Sequence, residues 1–265
     1  MAEVAAAGEG GVAVRFAEGG AAEGVLLVGA DGLWSRLRAL LAPGHEPRPT
    51  GVTAARTVIP LEAVLEAFSK PVTGVWLAPD SHVVHYPVHG GRSLAVVAIA
   101  PGGEEGHGWN REVTRDVVAA RFTSLPASLA ALLGSAAHWR QWALRHGGTV
   151  FDVRDRAAAP VVLIGDAAHP IQPFLAQGGA MAIEDGWVLA DLLAETSGDV
   201  AATVAGLEEY RRRRVEAVQA ASLENGRIYH LSGAARTTRN AVLGLTPGAL
   251  LMRRYDWLYG WRPAA

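Results

Sequence analysis

Two short, continuously apolar runs stand out along the chain, Val25-Leu26-Leu27-Val28 and Val161-Val162-Leu163-Ile164. Runs of this kind, with no alternation, are expected of strands buried on both faces of a sheet. The first ends in Gly29-Ala30-Asp31-Gly32 and leads into a helical pattern through Leu33, Leu37, Leu40 and Leu41. The second ends in Gly165-Asp166, passes a loop with Pro170 and Pro173, and reaches Gly178-Gly179 ahead of a helical stripe at Met181, Val188, Leu189, Leu192 and Leu193. Between them, after Pro43, Pro47 and Pro49, the stretch from Gly51 to Ala100 is strand-rich. Its runs 75–77, 82–88 and 93–100 are joined by Ala78-Pro79-Asp80-Ser81 and His89-Gly90-Gly91-Arg92, turn chemistry that predicts a β-meander. Residues Arg111 to Trp142 carry a helical period, and a further long helix is expected from Val204 to Leu231. The start of the chain alternates at Val12, Val14 and Phe16 between turn glycines, and the tail gathers Tyr255, Trp257, Tyr259 and Trp261, which need a surface to dock on.

The shared layout of the two apolar runs carries the chemistry. In open α/β sheets, ligands bind beyond the carboxyl ends of the strands. Glycine there permits close backbone approach, and a helix N-terminus offers free N–H groups to an anion. An aspartate just past the strand can accept hydrogen bonds from ribose or ribityl hydroxyls. Either motif by itself is equally well a turn and a helix cap. With no cysteine among 265 residues, thiolate metal sites, thiol nucleophiles and disulfides are excluded, and no metal site is expected. A formal charge of -2 gives no general attraction to nucleic acid or anionic membrane, and the run Arg211 to Arg214 is expected to be a solvated helix face. No apolar run approaches the ~20 residues that span a bilayer, and the N-terminus lacks the order of a signal peptide, so a cytoplasmic protein is expected.

Together the motifs resemble those of the aromatic-ring flavoprotein monooxygenases. Leu27-Val28-Gly29-Ala30-Asp31-Gly32-Leu33-Trp34-Ser35-Arg36-Leu37-Arg38 is similar to that family's "DG" fingerprint, and Leu163-Ile164-Gly165-Asp166-Ala167-Ala168-His169-Pro170 to its "GD" fingerprint. The segment from Pro173 to Asp185 resembles the flavin-contacting loop and helix. His85-Tyr86-Pro87, the stretch Asn225 to Leu231 and Tyr255-Asp256-Trp257-Leu258-Tyr259 resemble the salicylate hydroxylase and 3-hydroxybenzoate 6-hydroxylase branch. The resemblance implies an α/β fold: a Rossmann-like FAD-binding domain, here incomplete, with an inserted antiparallel β-sheet substrate domain and C-terminal helices. The expected bounds are 1–50 with 148–200 for the FAD-binding domain, 51–147 for the substrate domain and 201–265 for the helical segment.

The resemblance also implies roles. FAD would be the cofactor and NAD(P)H the co-substrate, with O2 and a small phenolic or aromatic acid as reactants. Asp166, after Gly165, would bond the ribityl chain. Gly178, Gly179 and Ala180 would bring amides to the pyrimidine edge of the flavin, where negative charge gathers on reduction. Pro173 would sit near the reactive C4a carbon, and Asp31 and Gly32 near the pyrophosphate. Arg38 is expected to brace that loop through an ion pair, and His169 to stand behind the flavin contacts. On the substrate side, strand alternation places His82, Tyr86 and Val88 on one face and Val83 and His85 on the other. His85 is the expected base for the phenol, and Gln177 either bonds substrate or flavin or braces the loop.

One expected part is missing. Gly8-Glu9-Gly10-Gly11 has no buried strand ahead and no helix behind, so it is not the GxGxxG fingerprint of a dinucleotide fold. By the family layout, on the order of a hundred residues would precede the "DG" strand. The two buried strands are then expected to flank an absent central strand, and the chain alone to bind FAD poorly. Three readings stay open: a fragment of a complete enzyme, one half of a split enzyme whose partner supplies the missing segment, or a non-catalytic binding protein derived from the fold; a homodimer is a possible assembly. A dehydrogenating flavoprotein is a further alternative.

Overall fold

The computed structural model describes residues 3–103, 110–122, 125–153 and 159–263. The chain divides into two units: 1–48 with 145–224 and 254–265, and 49–144 with 225–253. The 201–265 segment, expected to stand apart, is shared between them.

In the first unit, β1 (Glu3–Ala6), β2 (Val12–Arg15) and β3 (Ala21–Gly24) form an antiparallel sheet. Val12 and Val14 face inward, as their alternation predicts. Strand β4 (Leu27–Gly29) and helix α1 (Arg36–Leu41) follow.

In the second unit come β5 (Arg48–Pro60), β6 (Gly74–Ala78), β7 (Ser81–Val88), β8 (Ser93–Pro101), β9 (Arg111–Thr114), α2 (Arg115–Ala119), α3 (Ala127–Gly134) and β10 (His138–His146). The strands make one six-stranded sheet in the order β6-β7-β8-β5-β10-β9, with β6, β7 and β8 as an antiparallel meander. The helical expectation for Arg111 to Trp142 is corrected: β9 and β10 bracket two short helices. Along His138–Leu144 the buried positions 139, 141 and 143 alternate, a period of two that prevails over the helical spacing upstream. One face of the sheet packs Ala55, Ile59, Val83, Val96 and Ala98 against Val118, Leu129, Leu132 and Leu133 of α2 and α3, with Trp139 fully buried.

Back in the first unit, β11 (Val161–Leu163) is followed by α4 (Gly178–Glu195). Helix α5 (Val200–Tyr229) begins in this unit, and α6 (Gly233–Leu245), α7 (Gly248–Arg253) and α8 (Asp256–Tyr259) complete the chain. β11 pairs directly with β4 in parallel, Val161 opposite Leu27 and Leu163 opposite Gly29. The expectation that a missing strand separates them is therefore corrected. A Cβ on Gly29 would meet Leu163 at 2.5 Å and Leu37 at 2.8 Å, so only glycine lets strand and helix approach here. β11 is fully buried, each side chain contributing about 1.5–3 kcal/mol. β4 is not: Val28 is 37% exposed, and β4 pairs with no second strand among the described residues. Of the tail aromatics, Tyr255 and Trp261 dock on this core.

Candidate functional site

The turn after β11 is held from two sides. Gly165 adopts φ +58, and a Cβ on it would lie 3.1 Å from Ala182 of α4, so backbone and packing both call for glycine. Its N–H donates to Asp185 Oδ2 at 2.8 Å. Asp185 projects from α4 and is fully buried; its Oδ2 also lies 2.5 Å from His169 Nε2, and its Oδ1 accepts from Arg211 Nε at 2.8 Å. From the opposite side Arg38, buried within α1, donates to the carbonyls of Ala167 at 3.1 Å, Ala168 at 2.9 Å and Gly148 at 2.5 Å. Burial would raise the Asp185 pKa, but His169, the Gly165 amide and Arg211 outweigh it and hold the carboxyl below its ordinary value.

Two sequence expectations change here. Arg38 braces through backbone carbonyls instead of an ion pair, and it is committed to them instead of being free for a cofactor; burial lowers its pKa. Arg211 and Arg214 are not a solvated face. Arg211 is fully buried, bonds Glu184 at 2.6 Å as well as Asp185, and Arg214 grips both Glu184 oxygens. Both guanidiniums lie near the Trp261 ring, at 5.3 and 4.9 Å from its centroid. Sequence spacing hides this because the acidic partners sit on another helix. Arg212, paired with Glu208 and Glu216 one turn away on α5, does behave as a surface residue.

What the turn leaves unused is the carboxyl of Asp166. It is half-buried and accepts no hydrogen bond from any described residue; burial raises its pKa, and the charge of His169 opposes that rise. Its Oδ1 lies 3.6 Å from where a Gly178 Cβ would stand. Gly178, Gly179 and Ala180 form the first turn of α4, and no side chain caps their amides. Gln177, at the N-cap, is buried and donates from Nε2 to the Leu175 carbonyl at 3.3 Å, which braces the loop. Pro173 opens the 3-10 turn Pro173–Leu175 and is exposed, and Ala176 closes that turn at φ +53. An unpartnered acceptor thus stands beside open helix N-terminal donors, a pairing suited to a ligand that carries both hydroxyls and electron-rich heteroatoms. Asp31 is occupied differently: its Oδ2 accepts from the Arg36 and Leu37 amides at 2.8 and 3.3 Å, and Ser35 Oγ accepts from Arg38 N. Both residues cap α1. Gly32 takes φ +75 in the turn between them.

In the second unit the two histidines of β7 part company. His85 shares the helix-covered face with Val83; its ring meets Phe68 edge-on at 5.2 Å, and its Nε2 would lie 2.1 Å from a Cβ on Gly74. It is a core residue with a pKa lowered by burial, so the expectation that it serves as a base is not supported by its surroundings. His82 lies on the opposite face, as does Tyr86. His82 Nδ1 is 2.8 Å from His230 Nε2, and its ring stands edge-on to Tyr229 at 5.2 Å. Burial, followed by the charge of His230, brings its pKa down to about 3. The strand alternation marked both histidines and puts them on opposite faces, of which the helices cover that of Val83 and His85.

Residues 10–224 match the family described as FAD binding domain. The chain belongs to this family. It is 36% identical over 260 residues to a 3-amino-4-hydroxybenzoate 2-monooxygenase of Streptomyces platensis, covering 96% of this chain and 63% of that protein. It is 33% identical over 253 residues to 3-hydroxybenzoate 6-hydroxylase 1 of Aquipseudomonas alcaligenes, covering 92% and 61%. A salicylate hydroxylase solved as its substrate complex superposes with a TM-score of 0.79 at 29% identity, over 98% of this chain and 67% of that one. The chain therefore spans somewhat less than two thirds of the length of these two relatives in sequence. The FAD that the family implies fits the first unit on its own geometry: the lone Asp166 carboxyl suits ribityl hydroxyls, and the uncapped α4 amides suit the carbonyl and nitrogen edge of a flavin ring.

Proposed function

We propose that this chain carries flavin-holding and substrate-facing elements of an FAD-dependent aromatic hydroxylase, a monooxygenase that consumes NAD(P)H and O2 on a small phenolic or aromatic acid. The observation that carries the proposal is Asp166, an unpartnered, half-buried carboxyl beside the open N-terminal amides of α4. The names of the three relatives cited above, each with a hydroxybenzoate as substrate, support the substrate class. FAD, when bound, supplies the oxygen chemistry.

In this proposal the protein's part is holding and orienting. Asp166 accepts from the ribityl hydroxyls, and the amides of Gly178 to Ala180 face the ring edge that becomes electron-rich on reduction. Pro173 shapes the loop at the reactive side of the ring and Gln177 keeps it in place. Asp31 and Gly32 act through the cap of α1. On the substrate side His82 replaces His85 as the base. It lies on the sheet face opposite that of His85, with its Nδ1 2.8 Å from His230 Nε2. The free edge of β4 is where a further parallel strand, from the same chain or a partner, would join. No described helix is long and apolar enough to cross a membrane, and a cytoplasmic location is part of the proposal.

Titration of the chain with FAD, followed by flavin fluorescence, tests the first half. Saturable quenching that weakens in Asp166→Ala is expected; no quenching, or quenching indifferent to Asp166, overturns it. NADH and NADPH consumption with hydroxybenzoates under labelled O2 tests the second half. One labelled oxygen atom in the product is expected, and unlabelled product points to a dehydrogenating flavoprotein.

A further inference from the structure

From Arg254 onward the chain is back in the first unit, and there its backbone is tied to a row of charges. Leu258 is buried in the core, and Tyr255 and Trp261 pack against that same core. Helix α8 has only the residues Asp256–Tyr259, so its last carbonyls find no partner within it. Arg214 of α5 supplies two of those partners. Its Nη1 donates to the Trp257 carbonyl at 3.3 Å and its Nη2 to the Leu258 carbonyl at 3.1 Å. The same guanidinium grips Glu184 of α4, Nε to Oε2 at 2.7 Å and Nη2 to Oε1 at 2.6 Å.

From Glu184 the row runs on to the turn after β11. Glu184 Oε2 also accepts from Arg211 Nη1 at 2.6 Å, and Arg211 Nε donates to Asp185 Oδ1 at 2.8 Å. Asp185 Oδ2 accepts from the Gly165 N–H at 2.8 Å, one residue before Asp166. Two guanidiniums therefore share the Glu184 carboxylate, and like charges so close repel one another. The Trp261 ring offsets this, its centroid 5.3 Å from Arg211 and 4.9 Å from Arg214, because an aromatic face attracts cations. Without the ring the repulsion bears on Glu184 alone, and the grip of Arg211 on Asp185 loosens. That grip fixes the carboxylate that receives the Gly165 amide.

We propose that Arg214 and Trp261 are positioning residues for the Gly165-Asp166 turn, so that the docked tail sets how firmly Asp166 is presented to its ligand. That the ligand is a flavin rests on the function proposed above; the link from tail to turn does not. Leu258 anchors the tail on its own, so Trp261 can be changed with the tail still in place.

Amide hydrogen exchange of the full chain without flavin, read residue by residue, tests the link. The Gly165 amide ends the row, whereas the Leu163 amide bonds the Phe151 carbonyl and takes no part in it. Trp261→Leu keeps apolar bulk but no ring; it should speed exchange at Gly165 roughly tenfold and leave Leu163 within about twofold. Trp261→Phe restores a ring face and should recover most of the protection. Arg214→Lys keeps the charge but not the fork and should act like Trp261→Leu, so it decides the matter where that variant fails to fold. A merely structural role would speed both amides alike. Equal acceleration at both, none at Gly165, or no recovery in Trp261→Phe overturns the proposal. FAD titration of the same variants adds the ligand: affinity should fall roughly tenfold in Trp261→Leu and stay near wild type in Trp261→Phe. If Asp166→Ala leaves FAD affinity unchanged, the flavin reading fails and the exchange result still decides the link. If Asp166→Ala weakens FAD and Trp261→Leu does not, the proposal falls.

Discussion

Replacing Asp185 by Asn changes one atom and strikes a fully buried side chain with three polar partners. The carboxylate accepts from Gly165 N–H and lies against His169 at Oδ2, and it accepts from Arg211 Nε at Oδ1. An amide cannot meet all three. With its oxygen in the Oδ2 position, its NH2 group faces the Arg211 N–H, donor against donor, and a fully buried guanidinium keeps only Glu184 as counter-charge. Breaking a buried ion pair from one side costs about 3–5 kcal/mol. With a urea slope of roughly 1–3 kcal/mol/M, the unfolding midpoint of the first unit should fall by about 1 M or more. The Asp185 pKa lies below its ordinary value of about 3.9, so its contribution is complete above that pH and fades as pH falls further. The gap between wild type and variant should therefore shrink below about pH 4. Asp185→Leu combined with Arg211→Met removes both charges together but leaves the Gly165 N–H and His169 without their acceptor, so it should recover only part of the loss. Urea unfolding at pH 7 and pH 3.5, followed by circular dichroism, provides the measurement. A difference at pH 7 under about 1 kcal/mol, or one that does not shrink in acid, refutes the reasoning.

Asp166→Asn removes a charge whose pKa burial has raised, so it should modestly stabilise the ligand-free chain at neutral pH while weakening FAD by roughly tenfold or more; denaturation and flavin titration on one preparation show both effects. His82, with a pKa lowered to about 3 against ~6.5 unfolded, takes up its proton only on unfolding between those values, so stability should fall with acid at up to about 1.4 kcal/mol per pH unit. His82→Gln should flatten that slope, and an unchanged slope rules the account out. Gly74→Ala should destabilise the second unit by about 1–3 kcal/mol, because its Cβ would collide with the His85 ring at 2.1 Å; a thermal melt detects it. The isolated chain should lose FAD on desalting, since one edge of β4 has no partner strand among the described residues; stoichiometric flavin absorption after gel filtration would contradict this.

Strands β2, β4 and β11, the β6–β8 meander and α4 were legible in the sequence because each obeys a local period or a local turn chemistry. The Gly165-Asp166 turn was legible for the same reason. The pairing of β4 with β11 was not, since nothing local states which buried strand lies next to which. The helical reading of Arg111 to Trp142 failed where a period-two stretch was short and its neighbours spaced at three and four. Arg211 was misread because a run of four arginines looks solvated until the acids of α4 are placed against it. His85 was chosen over His82 without knowing which face the helices cover, a fact fixed only by Leu129, Leu132 and Leu133 folding onto the Val83 side.

The corrected arginines change what Asp166 means. Arg38 takes the carbonyls of Ala167 and Ala168, and Asp185 takes the Gly165 amide, so donors and acceptors of the turn are held from opposite sides. His169, which a sequence reader is drawn to as a base, is fully buried with its Nε2 against Asp185 and belongs to that scaffold. Arg211 supports Asp185 in turn, and Glu184 joins Arg211 to Arg214. The turn is thereby rigid before any ligand arrives, which lowers the ordering cost of binding. A carboxyl that the fold holds this firmly yet leaves without a partner among the described residues is destabilising unless a ligand uses it, and that is the physical ground for the flavin role proposed for Asp166.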